Sequence, residues 1–494
     1  MTDERLLLVF DAGTSSTRAL LFAGDGTLVA AAQEEIAQHY PRPGWVEHDA
    51  AEIWSRTLAC GQAMVERAGG AERIAAIGIS NQRETAVAWD RATGAPLTRA
   101  IVWQDRRTSE ACAALKAAGN EAAVTEATGL LLDPYFSATK WRWMIDELPE
   151  VAAAAARGTL ALGTVESWLV WKLSGGAHVS DASNASRTLL MALTGAGFDR
   201  GLCDLFGVPF AALPHVVDNV GSIATCAAGW FGAAIPICGL AGDQQAATIG
   251  QGCLAPGATK ATFGSGAFIL TSTGTVVPRS RHRLLATVLA QVGGERLYAL
   301  EGSVFVAGSM VNWLRDAMGW IGSAADTERI ARDSDNGGVS FVPALAGLGA
   351  PHWRPDAKAM IAGLTLGTTK DQIVRAAMES IAHQCSDLQG AFAADGADWE
   401  TVRIDGGMAA NDWLAQDLAD ILQRPVERPA DVECTARGAA MLAAVGAGLY
   451  PTLEAAGAML PVVERFDPEM GDATRDARLT AWHATLATAL GRTN

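Results

Sequence analysis

Short apolar runs alternate along this chain with polar turns and longer amphipathic stretches. Leu6-Leu-Leu-Val-Phe10 and Ala19-Leu-Leu-Phe22 read as two strands joined through Asp11-Ala-Gly-Thr-Ser-Ser-Thr-Arg18. The segment Ala261 to Leu270 repeats the arrangement, with Gly264-Ser265-Gly266 as its turn. Further strands are predicted at Ile74 to Ile79, Ile235 to Leu240 and Val402 to Ile404. A helix is predicted to start at Thr369, where Thr-Lys-Asp-Gln has the form of a capping box. Ile373, Val374, Ala377, Met378, Ile381 and Ala382 then recur on one face. A second helix follows the Gly406-Gly407 turn, runs from about Ala410 to Leu422 and stops before Pro425. Strands alternating with helices indicate the α/β class.

The two hairpins have their central glycines, Gly13 and Gly264, about half of the 494 residues apart. That spacing suggests an internal duplication, with one domain over 1–251, a second over 252–494, and a boundary near Gly250 to Pro256. The length agrees, since one hydrophobic core seldom serves so long a chain. Composition is that of a globular protein, 49% hydrophobic and 19% charged. The formal net charge of −16 argues against nucleic acid as a main partner, because binding the phosphate backbone needs a basic surface. The opening residues Met1 to Arg5 and the short apolar run after them form neither a signal peptide nor a membrane span, so a cytoplasmic protein without membrane insertion is expected. Eight cysteines without a C-x-x-C pair read as buried, reduced thiols.

The chain lacks the G-x-x-x-x-G-K-[ST] phosphate loop. The hairpins offer another way to hold phosphates. Their glycines let backbone amides approach closely, while Thr14, Ser15, Ser16 and Ser265 add hydroxyl donors. Arg18 can supply fixed positive charge, and Asp11, at a strand end, is placed to hold Mg2+ through waters. A second cluster of polar residues, Ser80-Asn-Gln-Arg83-Glu84-Thr85, follows the strand from Ile74, where ligands of α/β sheets bind. Taken alone, an Arg-Glu pair after a strand is more often a surface or structural ion pair. Asp243 follows the apolar run from Ile235 in a Gly-Asp-Gln turn, where a carboxylate can accept a proton or hold a metal.

The segment Asp11 to Arg18 resembles the first phosphate loop of the FGGY carbohydrate kinases, relatives of hexokinase, actin and the heat-shock ATPases. Tyr135-Phe-Ser-Ala-Thr-Lys-Trp-Arg-Trp-Met-Ile-Asp-Glu147 resembles the first signature of that family, and Gly363-Leu-Thr-Leu through Glu379 the second. The resemblance extends from Leu8 to about Phe466. It implies two duplicated ribonuclease-H-like domains flanking a catalytic cleft that takes ATP and Mg2+, and it suggests a homodimer or homotetramer. It places Gly308 and Asn312 beside the nucleotide, and Gly407 and Asn411 against its adenosine.

Asn81-Gln-Arg-Glu-Thr85, Ile101-Val-Trp103-Gln-Asp-Arg-Arg107, Asp133-Pro-Tyr135-Phe136 and Ala241-Gly-Asp243-Gln244-Gln245 are similar to the glycerol-phosphorylating branch of the family. The similarity implies that Arg83, Glu84, Tyr135, Asp243 and Gln244 hydrogen-bond a polyol, and that Trp103 and Phe268 pack on its carbon edge. With 15 tryptophans and 13 phenylalanines in the chain, core packing is the competing reading of those two aromatics. Asp243 is implied as general base and as a second metal ligand. The acceptor implied is glycerol; a tetritol, dihydroxyacetone or a pentulose is the alternative, and a nucleotide switch without an acceptor is a more distant one. The chain departs from that branch at Ala12, where Gln is usual, and at Ser265, where Thr is usual. Its segment Ala227 to Ile235 contains no Lys or Arg, so inhibition by a sugar bisphosphate there is expected to be absent.

Overall fold

The computed structural model describes residues 5–431 and 433–491. Two large sheets organise it. The first contains β1 (Leu6–Ala12), β2 (Ser16–Phe22), β3 (Leu28–Glu35), β4 (Ile74–Asn81), β5 (Val220–Cys226) and β6 (Ile235–Gly242), in the order β5-β6-β4-β1-β2-β3. The second contains β7 (Ala258–Phe263), β8 (Ala267–Gly274), β9 (Leu285–Val292), β10 (Glu295–Val304), β11 (Thr401–Asp405), β12 (Val426–Pro429) and β13 (Val463–Phe466), in the order β9-β10-β8-β7-β11-β12-β13.

A five-stranded core recurs in both. In the first sheet β1 pairs antiparallel with β2, β2 antiparallel with β3, and β4 joins β1 and β6 in parallel. In the second, β7, β8 and β10 repeat the antiparallel part, and β11 joins β7 and β12 in parallel. This is the arrangement expected of a duplicated ribonuclease-H-like unit.

Sequence pattern accounts for strand position. The central strand β1, Leu-Leu-Leu-Val-Phe-Asp-Ala, has an apolar run because helices cover both faces of the sheet, and six of its seven residues are buried. The edge strand β3 alternates exposed and half-buried residues. Helix Ala50–Ala68 covers one face of the first sheet, capped by Asp49, whose carboxylate accepts from the amides of Ala51 and Glu52. Helix Cys434–Gly446, from the second half of the chain, covers the other face. It lies close against the sheet because Gly78 in β4 and Gly239 in β6 carry no side chain; a Cβ on either would collide with the backbone of Ala439 or Ala443.

Local signals place most of the predicted elements. Helix Lys370–Ala394 has Thr369 as its N-cap with the complete capping box. The helix expected from Ala410 begins slightly later, at Asp412, because the Asn411 side chain takes the cap by accepting from the Leu414 amide; Gly407–Ala410 forms a 3-10 turn before it. Asp243 does not sit in a turn. It opens helix Asp243–Gly250 directly from β6. All eight cysteines are buried and free. Among the described residues no helix is long and apolar enough to cross a membrane.

Candidate active site

The three parallel strands of the first sheet end abreast, with Asn81 registered against both Ala12 and Gly242. Asp11, the segment Asn81 to Thr85, and Asp243 therefore emerge at one edge. Arg83 reaches from this edge into a buried charge network. Its Nη1 donates to Glu301 on β10 at 2.6 Å, its Nη2 to the Tyr135 hydroxyl at 3.5 Å, and its Nε lies 3.2 Å from Asp243 Oδ1. Arg187 completes the network, donating from Nε to Glu84 at 2.7 Å and from Nη2 to Glu301 at 2.9 Å. Buried charges require such pairing. Burial alone would raise the pKa of Glu301, but Arg187 and Arg83 hold it at about 2. Burial lowers that of Arg83, and Glu301 followed by Glu84 more than reverses the effect.

Asp243 differs from these residues in reaching the cleft, its side chain being 32% exposed while that of Arg83 is 2% exposed. Burial pushes its pKa up to about 6 against the pull of Arg83. It is thus mostly ionised at neutral pH yet basic enough to take a proton. Beside it, Gln244 accepts a hydrogen bond through Oε1 from the buried Lys260 ammonium, which leaves its amide N–H groups to donate elsewhere. Aromatic rings adjoin the network through Tyr135. The Trp103 ring lies 5.7 Å from Tyr135 and 6.4 Å from Phe268, edge-on to both. Trp103 Nε1 donates to Thr14 Oγ1 at 2.9 Å, which fixes the ring and ties it to the first hairpin turn.

In that turn Ser15 is exposed, and Ser16 Oγ accepts from Gln33 at 3.0 Å. Arg18 is not a free cation, since it pairs with Asp11 at 2.5 Å and with Glu433 at 2.8 Å. The second hairpin turn docks against helix Gly308–Asn312, with the Gly308 amide donating to the Gly264 carbonyl at 2.9 Å. A Cβ on Gly308 would clash there. Behind this turn opens a cavity of about 460 Å³ lined by Ser265, Gly308, Asn312, Gly407 and Asn411, with Thr327 and Glu328 across from them. Asn411 is engaged at both ends of its side chain, by the Leu414 amide and by Thr327 Oγ1. The sequence-derived site residues therefore fall into three groups: a polar and aromatic cluster around Arg83 and Trp103, the first hairpin turn with Asp11 and Arg18, and the glycine-lined cavity behind the second turn.

The FGGY family of carbohydrate kinases matches the chain with its N-terminal domain over residues 6–250 and its C-terminal domain over 259–447. The chain belongs to the FGGY family of carbohydrate kinases. A glycerol kinase of Methylobacterium nodulans is 50% identical to this FGGY kinase over 495 residues, spanning 99% of each chain. One of Dechloromonas aromatica is 50% identical over 491 residues, spanning 99% of this chain and 98% of its own. Among solved structures, the Plasmodium falciparum glycerol kinase with ADP matches at a TM-score of 0.93 and 33% identity, covering 99% of this chain and 98% of its own.

Several residues of this FGGY kinase that shape the pocket escape a reading of the sequence. Arg187 and Glu301 complete the network, Lys260 holds Gln244, and Lys140 is buried beneath Tyr135. Glu301 does leave one trace, as a lone charge within the apolar run Tyr298 to Val304. Arg187, in Asn184-Ala-Ser-Arg-Thr188, leaves none.

Proposed function

We propose that this FGGY kinase transfers the γ-phosphoryl group of ATP to glycerol, giving sn-glycerol 3-phosphate and ADP. The observation that carries the reading is the half-identity to glycerol kinases over essentially the whole chain. The pocket supports it. A small polyol presents a hydroxyl edge and a carbon edge, and the cleft offers Arg83, Glu84, Tyr135, Asp243 and Gln244 against the rings of Trp103 and Phe268.

In this reading Asp243 orients the attacking hydroxyl and accepts its proton late in a loose transition state. Arg83 keeps that carboxylate in place and donates to the polyol. The cavity lined by Gly308, Asn312, Gly407 and Asn411 takes the adenosine part of ATP, and Thr14, Ser15, Ser16 and Ser265 face its phosphates from the two turns. Arg18 serves the phosphates after exchanging part of its pairing with Asp11 and Glu433. Asp11 and Asp243 would hold Mg2+; they supply only oxygen donors, and few of them, as suits an ion that retains waters. That ion would neutralise phosphate charge as it develops.

The test is ADP release from purified protein with MgATP and glycerol, dihydroxyacetone, erythritol, D-xylulose or D-ribulose. Strong preference for glycerol is expected. Preference for another acceptor would keep the kinase and reassign the pocket, and release that ignores every acceptor would overturn the polyol site.

A further inference from the structure

Glu84 stands on backbone that few residues other than glycine adopt. Its φ is +59°, and the Thr85 amide donates to the Arg83 carbonyl at 2.7 Å, so Glu84 is the centre of a γ-turn of the rare positive-φ kind. Such conformations are strained and persist only where the surroundings over-determine them. Here the surroundings are the start of helix Ser137–Glu147. Ser137 Oγ donates to the Glu84 carbonyl at 3.1 Å, and Lys140 Nζ donates to the same carbonyl at 3.2 Å and to the Tyr135 carbonyl at 2.6 Å.

Lys140 is a costly choice for this place. Its side chain is wholly buried, and among the described residues it makes no ion pair with a carboxylate. It also lies in the first turn of its helix, where the backbone dipole disfavours a cation. What the ammonium does gain is two main-chain carbonyls, one from the segment that carries Arg83 and Glu84, the other from Tyr135. Both segments line the pocket read above as the polyol site.

We infer that Lys140, with Ser137, is a positioning residue for the acceptor: it locks the strained turn at Glu84 and fixes that turn relative to Tyr135. The inference rests on the polyol reading of the pocket. Without the ammonium holding its carbonyl, Glu84 is free to relax to negative φ. That movement turns the Glu84 carboxylate away from Arg187 and loosens Arg83 beside Asp243. The glycine-lined cavity is built from other segments, around 263–265, 308–312, 324–328 and 407–411, and does not share the change.

Steady-state kinetics of the full chain test this, with the acceptor the wild type prefers. Lys140→Met should raise the acceptor KM by about tenfold or more and leave the ATP KM within about twofold, because only binding at the acceptor end is lost. Lys140→Ala should recover part of its acceptor affinity when propylammonium is added to fill the vacated space. A merely structural lysine would lower the active fraction without separating the two KM values. An unchanged acceptor KM in folded Lys140→Met, or both KM values rising together, overturns the role. If Lys140→Met does not fold, Ser137→Ala decides, with a rise of about threefold in acceptor KM alone expected and no rise counting against the inference. A wild type that phosphorylates no polyol fails the reading of the pocket itself, whereas an active wild type with an indifferent Lys140→Met fails only the lysine.

Discussion

Asp243 combines three properties: exposure to the cleft, a guanidinium at 3.2 Å and a pKa raised to about 6. A base with these properties works above that pH and is lost by protonation below it. Asp243→Asn preserves the shape and removes the proton acceptor, so kcat is expected to fall by roughly 10²–10⁴-fold. Nucleotide affinity without Mg2+, read by titration with a fluorescent ATP analogue, should stay within about threefold, since Asp243 lies outside the glycine-lined cavity. Retained turnover would assign the base elsewhere. Asp243, Arg83 and Glu84 were readable in the sequence because each lies within three residues of a strand end, and strand ends are where such sheets bind ligands. Arg187 and Glu301 were not, because their role is to neutralise other residues. Only the three-dimensional pairing of segments 103 or more positions apart brings them to Glu84 and Arg83.

Helix boundaries followed from the sequence where the determinant was local. Thr369 and Gln372 lie within one turn of each other and make the reciprocal cap directly. Thr369→Ala should therefore cost about 1 kcal/mol in urea unfolding without changing either KM. Helix crossings were not readable in this way. Helices Asp243–Gly250 and Cys434–Gly446 touch backbone to backbone, since a Cβ on Gly250 would collide with the Cys434 carbonyl and one on Gly438 with that of Ala246. In sequence, Gly438 is only a helix-weakening residue within an alanine-rich run; its partner is nearly two hundred positions away. This contact joins the helix that carries Asp243 to the second half of the chain. Gly438→Val should force the two helices apart and destabilise the protein by about 1–3 kcal/mol or more. Because Asp243 begins one of these helices, the same variant should lose kcat in the fraction that remains folded. Equal stability and kcat in Gly438→Val would mean that the crossing is looser than it stands here.

The duplication itself was visible from two hairpins, but the way its halves are joined was not. Helix Cys434–Gly446 crosses to the first sheet, and Glu301 of β10 inserts between Arg83 and Arg187 of the first half. One carboxylate thus neutralises two buried guanidiniums across the junction. Glu301→Gln keeps the shape but leaves those cations partly unpaired, and a loss of roughly 3–5 kcal/mol is expected at pH 7. The pH dependence gives a sharper test. Glu301 is held at about 2 in the folded protein against an ordinary value of 4.5, so the stability it contributes is complete above pH 4.5. It drains away as the pH falls toward 2, because the unfolded chain takes up that proton first. The gap in unfolding free energy between the wild type and Glu301→Gln should therefore be widest near neutrality and narrow steadily below pH 4.5. Urea titrations of both proteins from pH 7 down to the lowest pH at which they remain folded would measure it. A gap that stays constant with pH would show that Glu301 joins the halves by packing, with its charge contributing nothing to the junction.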